Sequence, residues 1–156
     1  NMAPRQHMRK MKVGKVTFTE AYKAVNEYRQ KYPQKAVTFY AQNYPAMGWA
    51  VFMAGGSCPV IPCTDKAFLK DAAAMDVEET NTDEYKKMVK SDIGSIIYSK
   101  SGTEIPVQLS SGKYILKYIH PGSGKMNIID KSLKINGVYK LKVPDKKEGI
   151  YWFHKL

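Results

Sequence analysis

From Met47 to Ala54 the chain reads Met-Gly-Trp-Ala-Val-Phe-Met-Ala, a run without a single charge that stops at Gly55-Gly56. The length and the glycine stop predict a short helix. A helix that is apolar on every side must be buried on every side. Its neighbours in sequence offer little cover. Thr17-Phe18-Thr19-Glu20 opens a helix, with a threonine to cap free N–H groups and Glu20 in the first turn, where the helix dipole favours an anion. Phe18, Tyr22, Val25 and Tyr28 give that helix one apolar face, and Tyr32-Pro33 ends it. Ala36-Val37-Thr38-Phe39-Tyr40 is β-branched and aromatic and predicts a buried strand. One strand cannot make a sheet. Residues 1–65 are therefore expected to be a helix–strand–helix slice of an α/β fold that does not fold without cover from outside this chain.

The hydrophobic period changes further on. Lys66 to Met75 predicts a short helix with Phe68, Leu69, Ala72 and Met75 on one side, and 76–83 reads as an acidic linker. From residue 84 onward apolar residues alternate in short runs. Tyr85–Lys90 and the run around Ile96-Ile97-Tyr98 come first, then Ile105, Val107 and Leu109, then Tyr114, Leu116 and Tyr118. Leu133 and Ile135, Val138–Val143 and Ile150–Leu156 complete the series. Turn signals separate them at Ser101-Gly102, Ser111-Gly112, Pro121-Gly122-Ser123-Gly124 and Asn136-Gly137. Residues 84–156 therefore read as an antiparallel β-sandwich.

The chain carries 25 Lys and Arg against 14 Asp and Glu, a net charge of +11. Such a balance invites a nucleic-acid partner, through Arg5 to Lys15 above all. In residues 91–156, however, the positive charges are all lysine and fall one or two at a time between apolar residues, the pattern of strand faces turned to water. Nucleic acid is thus the weaker reading. No apolar run reaches the roughly 18 residues that a membrane-spanning helix needs. Cys58 and Cys63 stand four residues apart, outside the two-residue redox spacing, and His7, His120 and His154 are scattered. No metal site or cofactor is expected. Gly122-Ser123-Gly124-Lys125 lacks the full phosphate-loop spacing and reads as a hairpin turn.

Several segments, taken in order, resemble a known group. Pro45-Ala46-Met47-Gly48-Trp49 through Phe52-Met53-Ala54-Gly55-Gly56-Ser57 is similar to the last barrel helix of β/α-barrel glycoside hydrolases common in gut Bacteroidetes. Phe68-Leu69-Lys70-Asp71 resembles their connector. Ile96-Ile97-Tyr98-Ser99-Lys100-Ser101-Gly102, Val107-Gln108-Leu109, Gly112-Lys113-Tyr114 and Tyr118-Ile119-His120-Pro121-Gly122 resemble their C-terminal sandwich, with Tyr118 where the family often has tryptophan. Gly149 to His154 fits the closing strand. The resemblance implies an α+β chain in three parts. Residues 1–65 would be the terminal β/α piece of a TIM-type barrel, 66–83 a connector, and 84–156 a β-sandwich that supports the barrel. It also implies a periplasmic or extracellular setting, and the rest of a barrel, or another copy of the chain, as partner. The sequence starts at Asn1, so a trimmed or partial chain is expected.

Glycoside hydrolysis uses two carboxylates that flank the scissile bond. Residues 1–64 contain only Glu20 and Glu27, which have capping and helix-surface roles. The later acids cluster in the linker, so catalytic carboxylates are expected outside this chain. Carbohydrate contact is expected instead at the mouth of the barrel, from Tyr40, Gln42, Asn43 and Tyr44, joined by Arg5 and His7. There aromatic rings stack on sugar, amides meet hydroxyls and a guanidinium holds an acidic group. Three functions stay open: the C-terminal segment of a glycoside hydrolase, a stand-alone carbohydrate-binding module, and a basic nucleic-acid-binding protein.

Overall fold

A capping box starts the first helix, α1 (Phe18–Lys31). The Thr17 hydroxyl accepts from the Glu20 N–H at 3.2 Å, and the Glu20 carboxylate accepts from the Thr17 N–H at 2.8 Å. Those hydrogen bonds hold the Glu20 carboxyl below its ordinary pKa. A computed structural model describes residues 17–39, 45–100, 102, 104–145 and 148–156, and these fall into two compact units, 1–59 and 60–156.

In the first unit α1 packs its Phe18, Ala21, Tyr22 and Val25 face inward. The second helix, α2 (Pro45–Met53), is the uncharged one. Trp49, Ala50, Met53 and Ala54 are wholly buried, and Trp49 meets Phe52 edge to face. The Arg29 guanidinium donates to the Ala54 carbonyl at 2.9 Å, and Gly55 and Gly56 close the helix end by donating to Phe52 and Val51. The chain as it stands covers this helix. The expectation that α2 needs cover from outside the polypeptide is therefore corrected. The predicted strand over 36–40 is also absent from its described part. Residues 36–39 are irregular, Ala36 and Thr38 are exposed, and the Val37 carbonyl accepts from the Ser57 N–H at 2.7 Å. With no strand beside it among the described residues, a β-prone run has no ladder to join. No piece of a TIM-type barrel is formed by the described residues.

In the second unit, α3 (Lys66–Ala74) is capped by Asp65, whose side chain accepts from the Phe68 N–H. The strands follow: β1 (Asp76–Glu78), β2 (Tyr85–Lys90), β3 (Gly94–Ser99), β4 (Glu104–Ile119), β5 (Met126–Lys142) and β6 (Gly149–Lys155). They make one antiparallel sheet in the order β1-β2-β3-β6-β4-β5. The fold is α+β and antiparallel as expected, but the described residues form a single sheet in place of the two of a sandwich. The stretch read as a linker supplies β1, paired to β2 from Asp76↔Val89 to Glu78↔Lys87.

The sheet covers its own face by bending. Two predicted turns, Ser111-Gly112 and Asn136-Gly137, are not chain reversals. They lie opposite one another in one long β4–β5 hairpin, where the register slips between Leu109 and Gly112 and Leu109 faces Gly137. Gly137 has φ +91, a backbone that a side chain resists. The bend is tied down where Ser110 N–H donates to the Ser91 carbonyl at 3.0 Å, and Tyr114 hydroxyl to the Ser110 carbonyl at 2.8 Å. It brings Ile105, Val107, Leu109 and Leu141 over Ile97, Tyr151, Phe153 and Leu116, and this is the core. The hairpin reverses at 120–125, as its Pro-Gly-Ser-Gly content predicts. Gly124 N–H donates to the His120 carbonyl, and His120 Nδ1 accepts from the Ser123 N–H.

Candidate functional site

Alternation puts neighbours Tyr151 and Trp152 on opposite faces of β6. Both are nevertheless buried, because both faces of β6 are covered. Trp152 lies under α3, edge to face with Phe68 at 5.4 Å between ring centres. Its indole N–H donates to Asp71 Oδ2 at 3.0 Å, and His154 Nδ1 bonds the same oxygen at 2.7 Å. Lys117 Nζ lies 4.2 Å from the Trp152 ring centre. Asp71 is thus a buried clamp between α3 and β6. The helical spacing had put Leu69 on the inner face, yet Leu69 is 40% exposed.

On the other face, beside the core, lies a groove of about 510 Å³. It opens between the second half of β4, the two halves of the bent β5, and β6. Tyr118, Tyr139 and Tyr151 line it, with Asn127, Lys140 and Lys142 at its polar edge, and none of its lining residues is acidic. Tyr118 and Tyr139 are partly buried, whereas Asn127, Lys140 and Lys142 are exposed. Tyr118 stands edge to face with Tyr151 at 5.5 Å between ring centres. Its hydroxyl donates to the Glu148 carbonyl at 3.0 Å. The Tyr151 hydroxyl is buried with no hydrogen-bond partner among the described residues. Burial, with Tyr118 beside it, pushes the Tyr151 phenol up to about 12. Burial likewise raises Tyr118, and the Glu148 charge adds to it. Tyr98, buried and bonded to the Glu148 carboxylate, is raised well above the ordinary tyrosine range. These phenols are neutral donors at physiological pH.

Lys140 pairs with Glu104 at 3.0 Å, while Lys142 has no ion pair among the described residues. Two other lysines break the rule that strand lysines point to water. Lys86 is 4% exposed and donates to the Thr82 carbonyl at 2.6 Å. Lys87 is 8% exposed, pairs with Glu78 and donates to the Pro106 carbonyl. Each buried charge is satisfied, as burial demands.

The residues expected to touch sugar, Arg5, His7, Tyr40, Gln42, Asn43 and Tyr44, lie outside the described residues. The groove was missed because its tyrosines sit on separate strands and read one by one as core. The one available signal was the crowding of tyrosines at alternating positions in 114–118, 139 and 151. Cys58 is exposed and Cys63 buried, both free, and burial raises the Cys63 thiol. Among the described residues no three His, Cys, Asp or Glu gather as a metal site would require. No helix among them is long and apolar enough to cross a membrane.

Comparison with known proteins adds little. A family model described as a domain of unknown function, DUF6298, matches residues 1–75. No curated protein matches the chain. A solved structure titled "Glycoside hydrolase" is similar over 52% of this chain and 20% of its own, with 16% identity and a TM-score of 0.39. A structure of CapF with the inhibitor 3-isopropenyl-tropolone is similar over 88% of this chain and 44% of its own, with 10% identity and a TM-score of 0.18. The chain thus spans about a fifth of the first structure and under half of the second. Likenesses this distant assign this chain neither a fold nor an activity.

Proposed function

We propose that the strand-rich unit binds carbohydrate, and that it does so as a non-catalytic part of a carbohydrate-active protein. The observation that carries this reading is the groove between the legs of the bent hairpin. Three tyrosines from three strand segments, Tyr118, Tyr139 and Tyr151, converge there. Tyrosine rings offer flat apolar faces to the C–H faces of sugars, and the Asn127 amide and tyrosine hydroxyls supply both donors and acceptors for sugar hydroxyls. A groove without a lining carboxylate suits binding rather than cleavage by a carboxylate pair.

The finer reading places this domain at the C-terminal end of a glycoside hydrolase, in a periplasmic or extracellular setting. It is supported by the order of the motifs from Ile96 to Gly122, which resembles the C-terminal domain of such enzymes. The test is titration of the full chain with a set of soluble polysaccharides, neutral and acidic, followed by tryptophan and tyrosine fluorescence and by calorimetry. At least one is expected to bind, and Tyr118→Ala is expected to weaken it by about tenfold or more, the effect of removing one stacking ring. Asn127→Ala, at an exposed position that leaves the core untouched, is expected to weaken it too. Binding by none of the polysaccharides, or binding indifferent to both substitutions, overturns the reading.

A further inference from the structure

The groove has lysines at its edge but no charge within. Along β5 alternate residues turn to opposite faces, so Tyr139 and Leu141 share one face and Lys140 and Lys142 the other. Tyr139 and Leu141 lie on the core side, while Lys140 stands across the ladder from Pro106 and Lys142 across from Glu104. Lys140 is ion-paired to Glu104 at 3.0 Å. Asp130 stands opposite Leu116, but it is exposed and its carboxylate accepts from the Ser132 N–H at 2.8 Å. What faces the groove among the described residues is therefore aliphatic, aromatic or amide. The Tyr118 and Tyr151 phenols, raised by burial, stay neutral there. A charged group that entered would shed water and find no counter-charge. The two partly exposed rings come from different legs of the bent hairpin: Tyr118 is paired with Asn127, and Tyr139 with Val107. Each ring is braced. Tyr118 lies on Gly149, its ring edge filling the place where a Cβ would stand, and its hydroxyl is held by the Glu148 carbonyl. Tyr139 stands edge to face with Phe153 at 5.7 Å between ring centres.

We propose that the occupant of this groove is a neutral β-linked chain of all-equatorial pyranoses, of gluco or xylo configuration, that runs between the legs with one ring face toward Tyr118 and the other toward Tyr139. The inference rests on the carbohydrate reading above and deepens it by naming the substrate class. In an all-equatorial ring every hydroxyl points outward near the ring plane, which leaves C–H on both faces for aromatic contact. An axial hydroxyl, as in mannose or galactose, sets a polar group against one of those faces. A uronate brings a charge into a groove that supplies none to meet it.

Two pairs of probes test this. Hydroxyethyl cellulose and carboxymethyl cellulose share a backbone and differ in charge, whereas cello- and β-manno-oligosaccharides differ in one axial hydroxyl. The full chain is used, in salt high enough to screen its net charge of +11. Hydroxyethyl cellulose is expected to bind about tenfold more tightly than carboxymethyl cellulose, and cello- or xylo-oligosaccharides about tenfold more tightly than β-manno-oligosaccharides, the effect of one polar group left unmatched. Tyr118→Ala and Tyr139→Ala are each expected to weaken binding of the neutral chains by about tenfold, while Lys142→Gln, whose charge is turned away, leaves it unchanged. The probe comparisons use the unaltered protein, so they decide the matter even where a substitution unfolds it. Equal or tighter binding of carboxymethyl cellulose or of β-manno-oligosaccharides overturns this inference and leaves the carbohydrate reading standing. So does binding of another polysaccharide when none of the cello, xylo and hydroxyethyl probes binds. Neutral binding that survives both tyrosine substitutions in folded protein overturns the inference too. If no polysaccharide binds, the carbohydrate reading falls with it.

Discussion

Tyr151 carries a buried hydroxyl with no hydrogen-bond partner among the described residues. Such a group stays desolvated at a cost, and removing it while keeping the ring restores the balance. Tyr151→Phe is therefore expected to stabilise the fold by about 1 kcal/mol in urea denaturation near neutral pH. The same substitution bears on alkaline behaviour. The unfolded chain releases this proton near the ordinary tyrosine value of 10.0, whereas the folded protein keeps it up to about 12. The stability held in that difference is intact below the lower value and is lost as pH climbs through the window between the two. In Tyr151→Phe the fall in unfolding free energy over that window is expected to be shallower. An identical slope in both proteins argues against a buried phenol. Asp71 is the opposite case, a buried polar group with every reason to be there. Asp71→Ala strands the Trp152 N–H and is expected to cost about 1–3 kcal/mol, measured by the same denaturation. Little of this residue-scale pattern was legible beforehand. Phe68 stood on the apolar side of its helix in the sequence, but nothing marked Asp71 as buried, because its partners lie 81 and 83 residues away.

Elements whose causes are local were read well. The Thr17 cap with Glu20 in the first turn, the Gly55 stop and the 120–125 reversal are each decided within a few residues. Elements whose causes are distant were not. Residues 36–39 have strand composition and no partner strand among the described residues, while the acidic 76–78 has little strand propensity and a partner in β2. Asn136-Gly137 has hairpin composition, yet Gly137 serves as a bend in a strand that continues. The glycine is needed for its backbone and not for space, since nothing lies within 4 Å of where a Cβ would stand. Gly137→Ala is thus expected to cost about 1 kcal/mol, the strain of that conformation alone. Gly94 differs, because the Phe153 carbonyl oxygen occupies the place of its Cβ. Gly94→Ala has to part β3 from β6 at that point. It is expected to be the more damaging of the two by at least 1–2 kcal/mol in thermal or urea unfolding. Equal effects would mean that the β3–β6 register is looser than it looks.

At the scale of the whole molecule, the core cluster, the Asp71 clamp and the groove all lie within residues 60–156. That segment, produced alone, is expected to fold cooperatively, checked by a dispersed amide spectrum and a single denaturation transition. A broad, uncooperative transition would show that it depends on residues 1–59. Alternation of apolar residues, glycine and proline punctuation, capping side chains and an uncharged helix that had to be buried were determined by the sequence itself, because each acts over a turn or a strand pair. Only the tertiary structure decided that two turn signals would face each other as one bend, that β1 would come from an apparent linker, and that three scattered tyrosines would share a groove. The physical reason is range. A cap or a period is an energy between near neighbours, whereas strand order and a sheet folded onto itself depend on pairing across tens of residues, where the same local pattern is compatible with several registers.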